Sequence, residues 1–468
     1  MVRLVSTTRQ RPNSPYATMS HCWGVHPIDV LTPINLPDLQ KGRSTVEFAP
    51  SFRDCFTALR HLDISYVWID TFCILQGGSE ESRRDWAIES LLMEKVYTCS
   101  VLNIGAAHGV DSRAGCFRER NMTDHLPQSQ PISWPQLRTG TFTLYRSGEI
   151  PRDIFNRHHL FSRAWVLQEM ILSPRLLHYG AEQIWWQCRH TALMSEDGLT
   201  GPHSETSSHT SAPTLRPGVL DIDKDRLYML WYRLLEKYTS CGLSHPNEDK
   251  TRAIEGIANR IAKTTNDQYI EGCFWDQLPA SICWATYKGT PSPVYRAPSW
   301  SWASMDGPLF FAQHEHVSPR DRYSTLAVAV STSTTNDTRS SSGCAKLKRT
   351  AVICLGRPFP VPPLVSFGNP KKPRLMTFMV WKTYFRTHLD DTKDQAYAAT
   401  ARYIFLPVLC HRQVREGMIS RSLFGVVLEV DDKGIYRRRG SVPYPGTPVS
   451  EALVQQLSSL RPKLLYLI

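Results

Sequence analysis

The first 190 residues predict an α/β domain built on a mostly parallel sheet. Short apolar runs, such as residues 66–70 and 101–107, alternate with segments whose apolar residues recur at helical spacing, such as residues 84–97. This strand–helix alternation is typical of a parallel sheet covered by helices. Farther along, helical periodicity dominates residues 218–297, and short strand-like runs separated by turns dominate residues 298–468. We therefore expect an α/β domain, a helical segment and a β-rich C-terminal region.

Each element of the expected α/β domain follows from a local pattern. Runs of apolar, β-branched and aromatic residues predict strands at residues 16–20, 66–70, 101–107, 176–179 and 183–187. Apolar residues at helical spacing predict helices at residues 51–62, 84–97 and 163–172. The third helix ends before Ser173-Pro174, because proline cannot continue a helix.

The ends of the first three expected strands carry candidate binding residues. Parallel strands end at the same edge of a sheet, and ligands of such sheets bind at that edge. Residues 20–24, 70–76 and 105–107 follow the three strands and are therefore expected side by side. The candidates in the first two segments are Ser20, Trp23, Gly24, Asp70 and Gln76.

Length and composition indicate several domains. A chain of 468 residues with 41% hydrophobic residues is expected to hold two or three of them. We place the α/β domain at residues 1–194 and a linker rich in Gly, Pro, Ser, Thr and His at residues 195–217. The helical region then covers residues 218–297, and the β-rich region covers residues 298–468 with a disordered loop near residues 331–343.

Charge and cysteine content exclude several classes of protein. The net charge is +11, and part of the excess lies in basic runs such as Arg437-Arg438-Arg439. We interpret these runs as solvated loops rather than as a contact for an acidic partner, because no nucleic-acid-binding motif accompanies them. The 12 cysteines include no C-x-x-C pair, and there is neither a signal peptide nor an apolar run of about 20 residues. These features predict a soluble cytoplasmic protein with no membrane span and no specific nucleic-acid partner.

Five motifs follow one another in the first 190 residues. The first two are Y-x-x-L-S-x-x-W-G at residues 16–24 and W-I-D-x-x-C-I-x-Q at residues 68–76. The third is D-W-x-x-E-x-x-x-M-x-x-V-Y at residues 85–97. The last two are R-x-W-x-x-Q-E-x-x-L-x-P-R at residues 163–175 and G-x-x-x-x-x-W-x-C at residues 180–188. In this order they resemble the fungal heterokaryon-incompatibility (HET) domain family. Two departures are Met19 in place of the favoured Leu, and Gly77-Gly78 where the family usually has an acidic residue. The resemblance implies a role in fungal non-self recognition and innate immunity, in which the activated domain triggers growth arrest or programmed cell death.

A second resemblance links this domain to Toll/interleukin-receptor (TIR) domains, which have a flavodoxin-like fold. The helix of TIR domains that reads S-x-W-C-L-x-E-L holds the glutamate that cleaves NAD in the enzymatic members. Here Trp165, Leu167 and Glu169 match its W-x-L-x-E portion. The resemblance implies a TIR-like sheet and NAD as a candidate substrate with no required cofactor. It also implies self-association through the HET domain and, as a separate partner, an unidentified trigger protein.

Glu169 is the candidate catalytic residue, and two roles are open for it. In a glycohydrolase its carboxylate stabilises the cation that forms as the nicotinamide–ribose bond breaks. In the structural alternative it forms an ion pair with Arg163 or another basic side chain and fixes the helix against the sheet. A polar, open cleft around Glu169 favours the enzyme, whereas enclosure by an internal arginine favours a non-enzymatic assembly module.

The remaining candidate residues also have structural alternatives. Arg163 pairs either with a phosphate or with an internal carboxylate such as Asp70, and the internal ion pair is favoured. Trp23 and Trp165 are aromatic candidates for ligand contact, although a core position is preferred for Trp23. The amides of Gln76 and Gln168 bind either a ribose or loop backbone, and Gly24 is expected in a turn that needs positive φ. We find no zinc-ligand spacing and no P-loop motif, so we expect neither a metal site nor nucleoside triphosphate hydrolysis.

Overall fold

The computed structural model describes residues 1–8, 12–25, 29–119, 128–134, 138–144, 158–190, 194–195, 217–311, 322–325, 327–337, 347–356, 358–360, 366–367, 375–380, 383–389, 403–415, 418–441 and 447–468. The chain divides into two compact units. The N-terminal unit comprises Met1–Asp221 and Arg252–Ile257, and the C-terminal unit comprises Ile222–Thr251 and Ala258–Ile468.

The N-terminal unit alternates strands and helices, as the sequence predicts. Its strands are β1 (Tyr16–Ser20), β2 (Tyr66–Ile69), β3 (Leu102–Ala106), β4 (Gln128–Trp134), β5 (Arg138–Leu144), β6 (Arg175–Tyr179), β7 (Ile184–Cys188) and β8 (Met194–Ser195). Its helices are α1 (Leu36–Lys41), α2 (Pro50–His61), α3 (Asp70–Cys73), α4 (Glu80–Cys99) and α5 (Ala164–Leu172). Proline at the start of α2 suits the first turn, where its missing N–H has no intrahelical partner.

The central sheet of this unit has the strand order β2-β1-β3-β6-β7-β8. Strands β2, β1, β3 and β6 are parallel, whereas β7 and β8 are antiparallel to their neighbours. The mixed α/β architecture with a parallel-rich sheet is thus confirmed, and the flavodoxin-like assignment stays a prediction. Strands β4 and β5 form a separate antiparallel hairpin.

The two faces of the central sheet differ in chemistry because side chains alternate along each strand. One face carries Ala17, Met19 and Ile104, which pack with Phe52 and Leu59 of α2 in a single apolar cluster. The other face lies under α4 and α5. Trp68 of β2 contacts the ring of Tyr97 there with centroids 5.7 Å apart, and Ser20 of β1 reaches Glu169. Parallel pairing places the ends of β1, β2 and β3 at one edge, as expected.

The C-terminal unit begins with helices and continues as β structure. Its helices are α6 (Lys224–Thr239), α7 (Pro246–Asp249), α8 (Arg252–Thr265, whose first residues belong to the N-terminal unit) and α9 (Glu451–Ser459). Short strands follow α8: β9 (Tyr269–Ile270), β10 (Cys273–Phe274), β11 (Trp284–Ala285), β12 (Thr290–Pro291), β13 (Met305–Asp306) and β14 (Phe310–Phe311). The helical region predicted for residues 218–297 therefore gives way to short strands after α8.

A twelve-stranded sheet makes up most of the rest of this unit. Its strands are β15 (Arg322–Thr325), β16 (Val328–Asp337), β17 (Leu347–Gly356), β18 (Phe359–Pro360), β19 (Ser366–Phe367), β20 (Leu375–Val380), β21 (Thr383–Leu389), β22 (Tyr403–Arg415), β23 (Met418–Val430), β24 (Ile435–Ser441), β25 (Thr447–Pro448) and β26 (Lys463–Leu467). The β-rich C-terminal region is thus confirmed.

Two local predictions in this region differ from the structure. Residues 331–337, expected in a disordered loop, continue β16 in antiparallel pairing with β17, since their Thr-rich sequence suits an extended strand. Residues 338–343 of that expected loop, and residues 196–216 of the expected linker, lie outside the described residues. The run Arg437-Arg438-Arg439 lies in β24 rather than in a solvated loop, and Arg438 is only 2% exposed.

Candidate functional site

Glu169 lies in the interior of the N-terminal unit, on the face of α5 that meets β1. Only 4% of the residue is exposed. Its carboxylate accepts a hydrogen bond from the Ser20 hydroxyl at the end of β1, and it also shares a hydrogen bond with the Tyr97 side chain of α4. Asn103 of β3 supports this arrangement, since its amide nitrogen donates to the Ser20 oxygen over 2.9 Å. Three elements of the sheet–helix layer therefore converge on one carboxylate.

The carboxyl group of Glu169 is held between its charged and neutral forms. Burial, together with the negative charge of Asp70, raises the pKa of Glu169 to about 7. The hydrogen bonds from Ser20 and Tyr97 and the positive charge of Arg163 act in the opposite direction. At neutral pH a large fraction of the molecules therefore carries an ionised, buried carboxylate at this position.

Asp70 organises the edge where β1 and β2 end. Its two carboxylate oxygens accept hydrogen bonds from the Trp23 indole over 2.9 Å and from the Thr71 backbone N–H over 2.8 Å. The Thr71 hydroxyl lies 2.8 Å from Nε2 of His21, whose Nδ1 is 3.7 Å from Asp70. Burial lowers the pKa of His21 to about 4, so the imidazole is neutral at pH 7. Trp23 and Asp70 are brought together as the sequence predicted, at an edge where the Asp70 side chain keeps 18% of its surface exposed.

A comparison with protein families identifies this part of the chain. Residues 16–169 match the family model described as Heterokaryon incompatibility protein (HET). The chain carries a HET domain. Its matched segment starts at the first residue of β1 and ends at Glu169. Comparison with curated proteins and with solved structures gave no significant match.

The side chain of Arg163 in the HET domain is positioned by the main chain directly after β1. Its guanidinium donates a hydrogen bond to the main-chain carbonyl of His21. Among the described residues it forms no ion pair with Asp70, the partner that the sequence favoured. Its charge nevertheless lowers the pKa of Glu169, so it contributes to the electrostatics of the site, although the described residues show no ion pair between the two side chains.

The two candidate glutamines satisfy backbone groups. The side-chain oxygen of Gln168 accepts a hydrogen bond from the Gly256 N–H over 2.8 Å, and Gln168 is only 1% exposed. The Gln76 amide donates to the Ile74 carbonyl over 2.9 Å, within its own loop. Both interactions correspond to the structural alternative considered for these amides.

Two other candidates lie near the surface of the HET domain. Gly24 has φ of +75°, as the turn requires, and an added Cβ would lie 2.5 Å from the Asp111 Cβ. Trp165 is half-buried on α5, one turn before Glu169.

A row of buried polar side chains on the α4/α5 face escaped the sequence reasoning. Beyond Ser20 and Asn103, the row contains Thr18, His178 and Gln187, each at most 3% exposed. The Thr18 hydroxyl, both His178 ring nitrogens and the Gln187 amide lack hydrogen bonds of normal geometry among the described residues. Burial lowers the pKa of His178 to about 4. Gly105 is the one local indication of this row in the sequence. A Cβ at that position would lie 2.5 Å from Nδ1 of His178, so the close approach of the buried ring requires glycine.

Within the described ranges, no group of three or more His, Cys, Asp or Glu side chains is arranged to hold a metal ion. No helix of the described chain combines the length and the apolar character needed to cross a membrane.

Proposed function

We propose that the HET domain triggers growth arrest or cell death in fungal non-self recognition by hydrolysing NAD, with Glu169 as the catalytic carboxylate. The observation that carries the proposal is the buried, ionisable Glu169 held by Ser20 and Tyr97 beside the strand-end edge. Carboxylates with strongly shifted pKa values cluster at active sites, because the environment that raises the pKa also suits acid–base and electrostatic catalysis.

The reaction assigned to Glu169 is cleavage of an N-glycosidic bond. The bonding electron pair leaves with the nicotinamide nitrogen, and ribose C1′ becomes an oxocarbenium-like cation. The ionised carboxylate stabilises this cation, and water then adds to C1′ and releases a proton. The products are nicotinamide, ADP-ribose and one proton. Because the ionised form is the active one, the rate is expected to rise with pH through about 7, the pKa of Glu169.

The strand order supports a TIR-like ancestry for this chemistry. From the edge inward, β2, β1, β3 and β6 repeat the 2-1-3-4 order of flavodoxin-like sheets, whose ligands bind at the carboxyl ends of the strands. The antiparallel β7 departs from that pattern. We assign Ser20, Trp23, Gly24 and Asp70, which follow β1 and β2, to the NAD-binding edge.

Access to Glu169 requires a movement, because the residue is 4% exposed. We propose that self-association of HET domains, promoted by a trigger protein, opens the α5–β1 contact. The rate of NAD loss per chain is then expected to rise with protein concentration, which a dilution series with gel filtration in parallel measures.

The decisive experiment compares NAD loss and toxicity for the wild type and Glu169→Gln. The amide keeps the shape of the side chain but cannot carry the negative charge, so NAD hydrolysis is expected to fall at least about 10²-fold. Glu89→Gln is the matched control, since Glu89 is a half-buried carboxylate of α4 with a raised pKa that takes no part in the Ser20 and Tyr97 contacts. Unchanged NAD loss and toxicity in a folded Glu169→Gln protein would falsify the glycohydrolase proposal.

The second candidate is a non-enzymatic module that signals through homotypic assembly. The burial of Glu169 favours it, because a carboxylate enclosed by Ser20 and Tyr97 also serves as a structural link between α5, α4 and β1. In this case Glu169→Gln abolishes neither toxicity nor assembly, and wild-type chains cause toxicity without NAD loss.

A further inference from the structure

A cavity of about 380 Å³ opens in the C-terminal unit between residues 291–305 and β24. Four arginines line it: Arg296, Arg437, Arg438 and Arg439. None of its described lining residues is an Asp or a Glu. The main-chain oxygen of Ile468, also at the wall, already accepts hydrogen bonds from the N–H and the hydroxyl of Ser299. The side chains of the wall thus include guanidinium groups and no carboxylate, although Arg296, Arg437 and Arg439 have carboxylate partners just outside it.

The three arginines of β24 are held in different ways. Arg438 lies over the Trp284 ring, with its guanidinium carbon 3.3 Å from the centroid, and its Nε donates to the Ile282 carbonyl over 2.8 Å. Arg439 donates twice to one oxygen of Glu429, over 2.9 and 2.7 Å. Arg437 is 39% exposed, and its one ion pair among the described residues is a long contact of 3.8 Å to Asp431. Its donors are therefore available to a ligand.

Two buried basic side chains lie near one another here, Arg296 at the wall and Lys250. The Arg296 side chain is 4% exposed and donates to Asp306 over 2.7 Å and to main-chain carbonyls of Pro246, Ala303 and Met305. Lys250 is 5% exposed, and the charge of Arg296 adds to burial in lowering its pKa to about 8.

We propose that this cavity binds a small phosphate ester, with Arg437 donating to the phosphate. Arginine presents a planar fork of N–H donors that fits phosphate oxygens in pairs, and a doubly charged anion matches a wall with several guanidinium groups. The volume falls within the range of about 300–1,000 Å³ for small-molecule sites. Tyr295 and Val294 supply an apolar wall for the organic part of the ligand. This site is independent of the function proposed for Glu169.

The test is calorimetric titration of the full chain with adenosine monophosphate and with inorganic phosphate. Saturable binding of adenosine monophosphate is expected, about tenfold or more weaker in Arg437→Ala and intermediate in Arg437→Lys, which keeps the charge but loses the paired donors. Arg461→Ala is the matched control, because it removes an exposed positive charge of the same unit outside the cavity lining.

Three outcomes overturn the proposal. The first is the absence of saturable binding of adenosine monophosphate to the wild type at millimolar concentrations. The second is an equal loss in Arg461→Ala and Arg437→Ala, which identifies a general effect of net charge. The third is binding of inorganic phosphate alone, which excludes an organic phosphate ester. Thermal unfolding of Arg437→Ala checks folding, and little change is expected because exposed ion pairs contribute little to stability.

Discussion

Glu169 combines a charge with an interior position, and this combination has a measurable effect on stability. The pKa of Glu169 rises from 4.5 to about 7 on folding, mainly through burial. A group whose pKa is raised in the folded state favours folding while it is protonated, and this contribution is lost as pH rises. The folded protein is therefore expected to lose stability between about pH 4.5 and pH 7 because of this residue.

Glu169→Gln should remove that pH dependence. Relative to the wild type, the variant is expected to gain about 3 kcal/mol in the free energy of unfolding between pH 4.5 and pH 8. Urea unfolding of both proteins across this range measures the difference. The lowered pKa values of His21 and His178 act in the opposite sense but are present in both proteins, so they cancel. A difference that does not change with pH contradicts the raised pKa.

Gly105 is expected to tolerate no side chain while His178 is present. In Gly105→Ala the new Cβ lies 2.5 Å from His178 Nδ1, so we expect a loss of roughly 1–3 kcal/mol. The double variant Gly105→Ala/His178→Ala should lose less than the sum of the two single changes, because removing the ring removes the clash. A double-mutant cycle by chemical unfolding measures this coupling. Additive losses contradict the contact.

Some residues of the site can be recognised from the sequence alone, and others cannot. Glu169, Trp23 and Asp70 stand out because polar or aromatic residues follow apolar strands or interrupt an apolar helix. His178 and Gln187 do not stand out, since their strands read as apolar runs and their burial depends on the neighbours that pairing brings. The bond between Gln168 and Gly256 joins positions 88 residues apart, which no local pattern encodes.

At the scale of elements, sequence patterns located β1, β2, β3, β6, β7, α2, α4 and α5 to within a few residues, whereas α1, α3, β4, β5 and β8 were not predicted. The start of α4 at Glu80 was missed by four residues, because the Ser79 side chain accepts from the Ser82 N–H and caps the helix earlier than the apolar pattern begins. The short connection between β6 and β7 itself indicates that β7 is antiparallel. Only residues 180–183 separate it from β6, and a parallel crossover needs a dozen or more.

Helix propensity and the contact between α5 and the start of α8 predict opposite effects of Gly256→Ala on stability. Propensity favours Gly256→Ala by about 1 kcal/mol. The new Cβ, however, lies 2.7 Å from the Gln168 side-chain oxygen and 2.8 Å from the Glu94 Cβ. We therefore expect a net loss of roughly 1–3 kcal/mol in thermal or chemical unfolding. Thr264→Ala, at an exposed position of the same helix, is the control and should be neutral or stabilising.

At the scale of the whole molecule, the N-terminal unit is not one continuous stretch of chain. It runs to Asp221 and takes in Arg252–Ile257, whereas composition placed the domain boundary at residue 194. Arg252 lies over the Trp86 ring at 4.7 Å, and Gly256 binds Gln168. Composition marks the Ser- and Thr-rich stretch after residue 194 as a boundary, but it carries no information on a later segment that completes the unit.

A fragment of residues 1–221 is therefore expected to be incomplete. Without Arg252–Ile257 it loses the partner of Gln168, so α5 should exchange its amide hydrogens faster than in the full chain. Hydrogen exchange measured by mass spectrometry compares the peptide of α5 in both proteins. The peptide of α2 is the internal control, because the apolar cluster it joins contains no residue of 252–257. Equal exchange of α5 in fragment and full chain contradicts the assignment.

The unequal faces of the central sheet have a consequence for how the HET domain tolerates mutation. The α2 face packs in a large apolar cluster, and such cores accept swaps of similar volume, such as Leu for Met. The α4/α5 face holds Ser20, Asn103, His178 and Glu169, and most replacements leave a buried polar neighbour without its partner. A library of single substitutions selected for folding should therefore be permissive on alternate residues of β1 and β3 and restrictive on the residues between them.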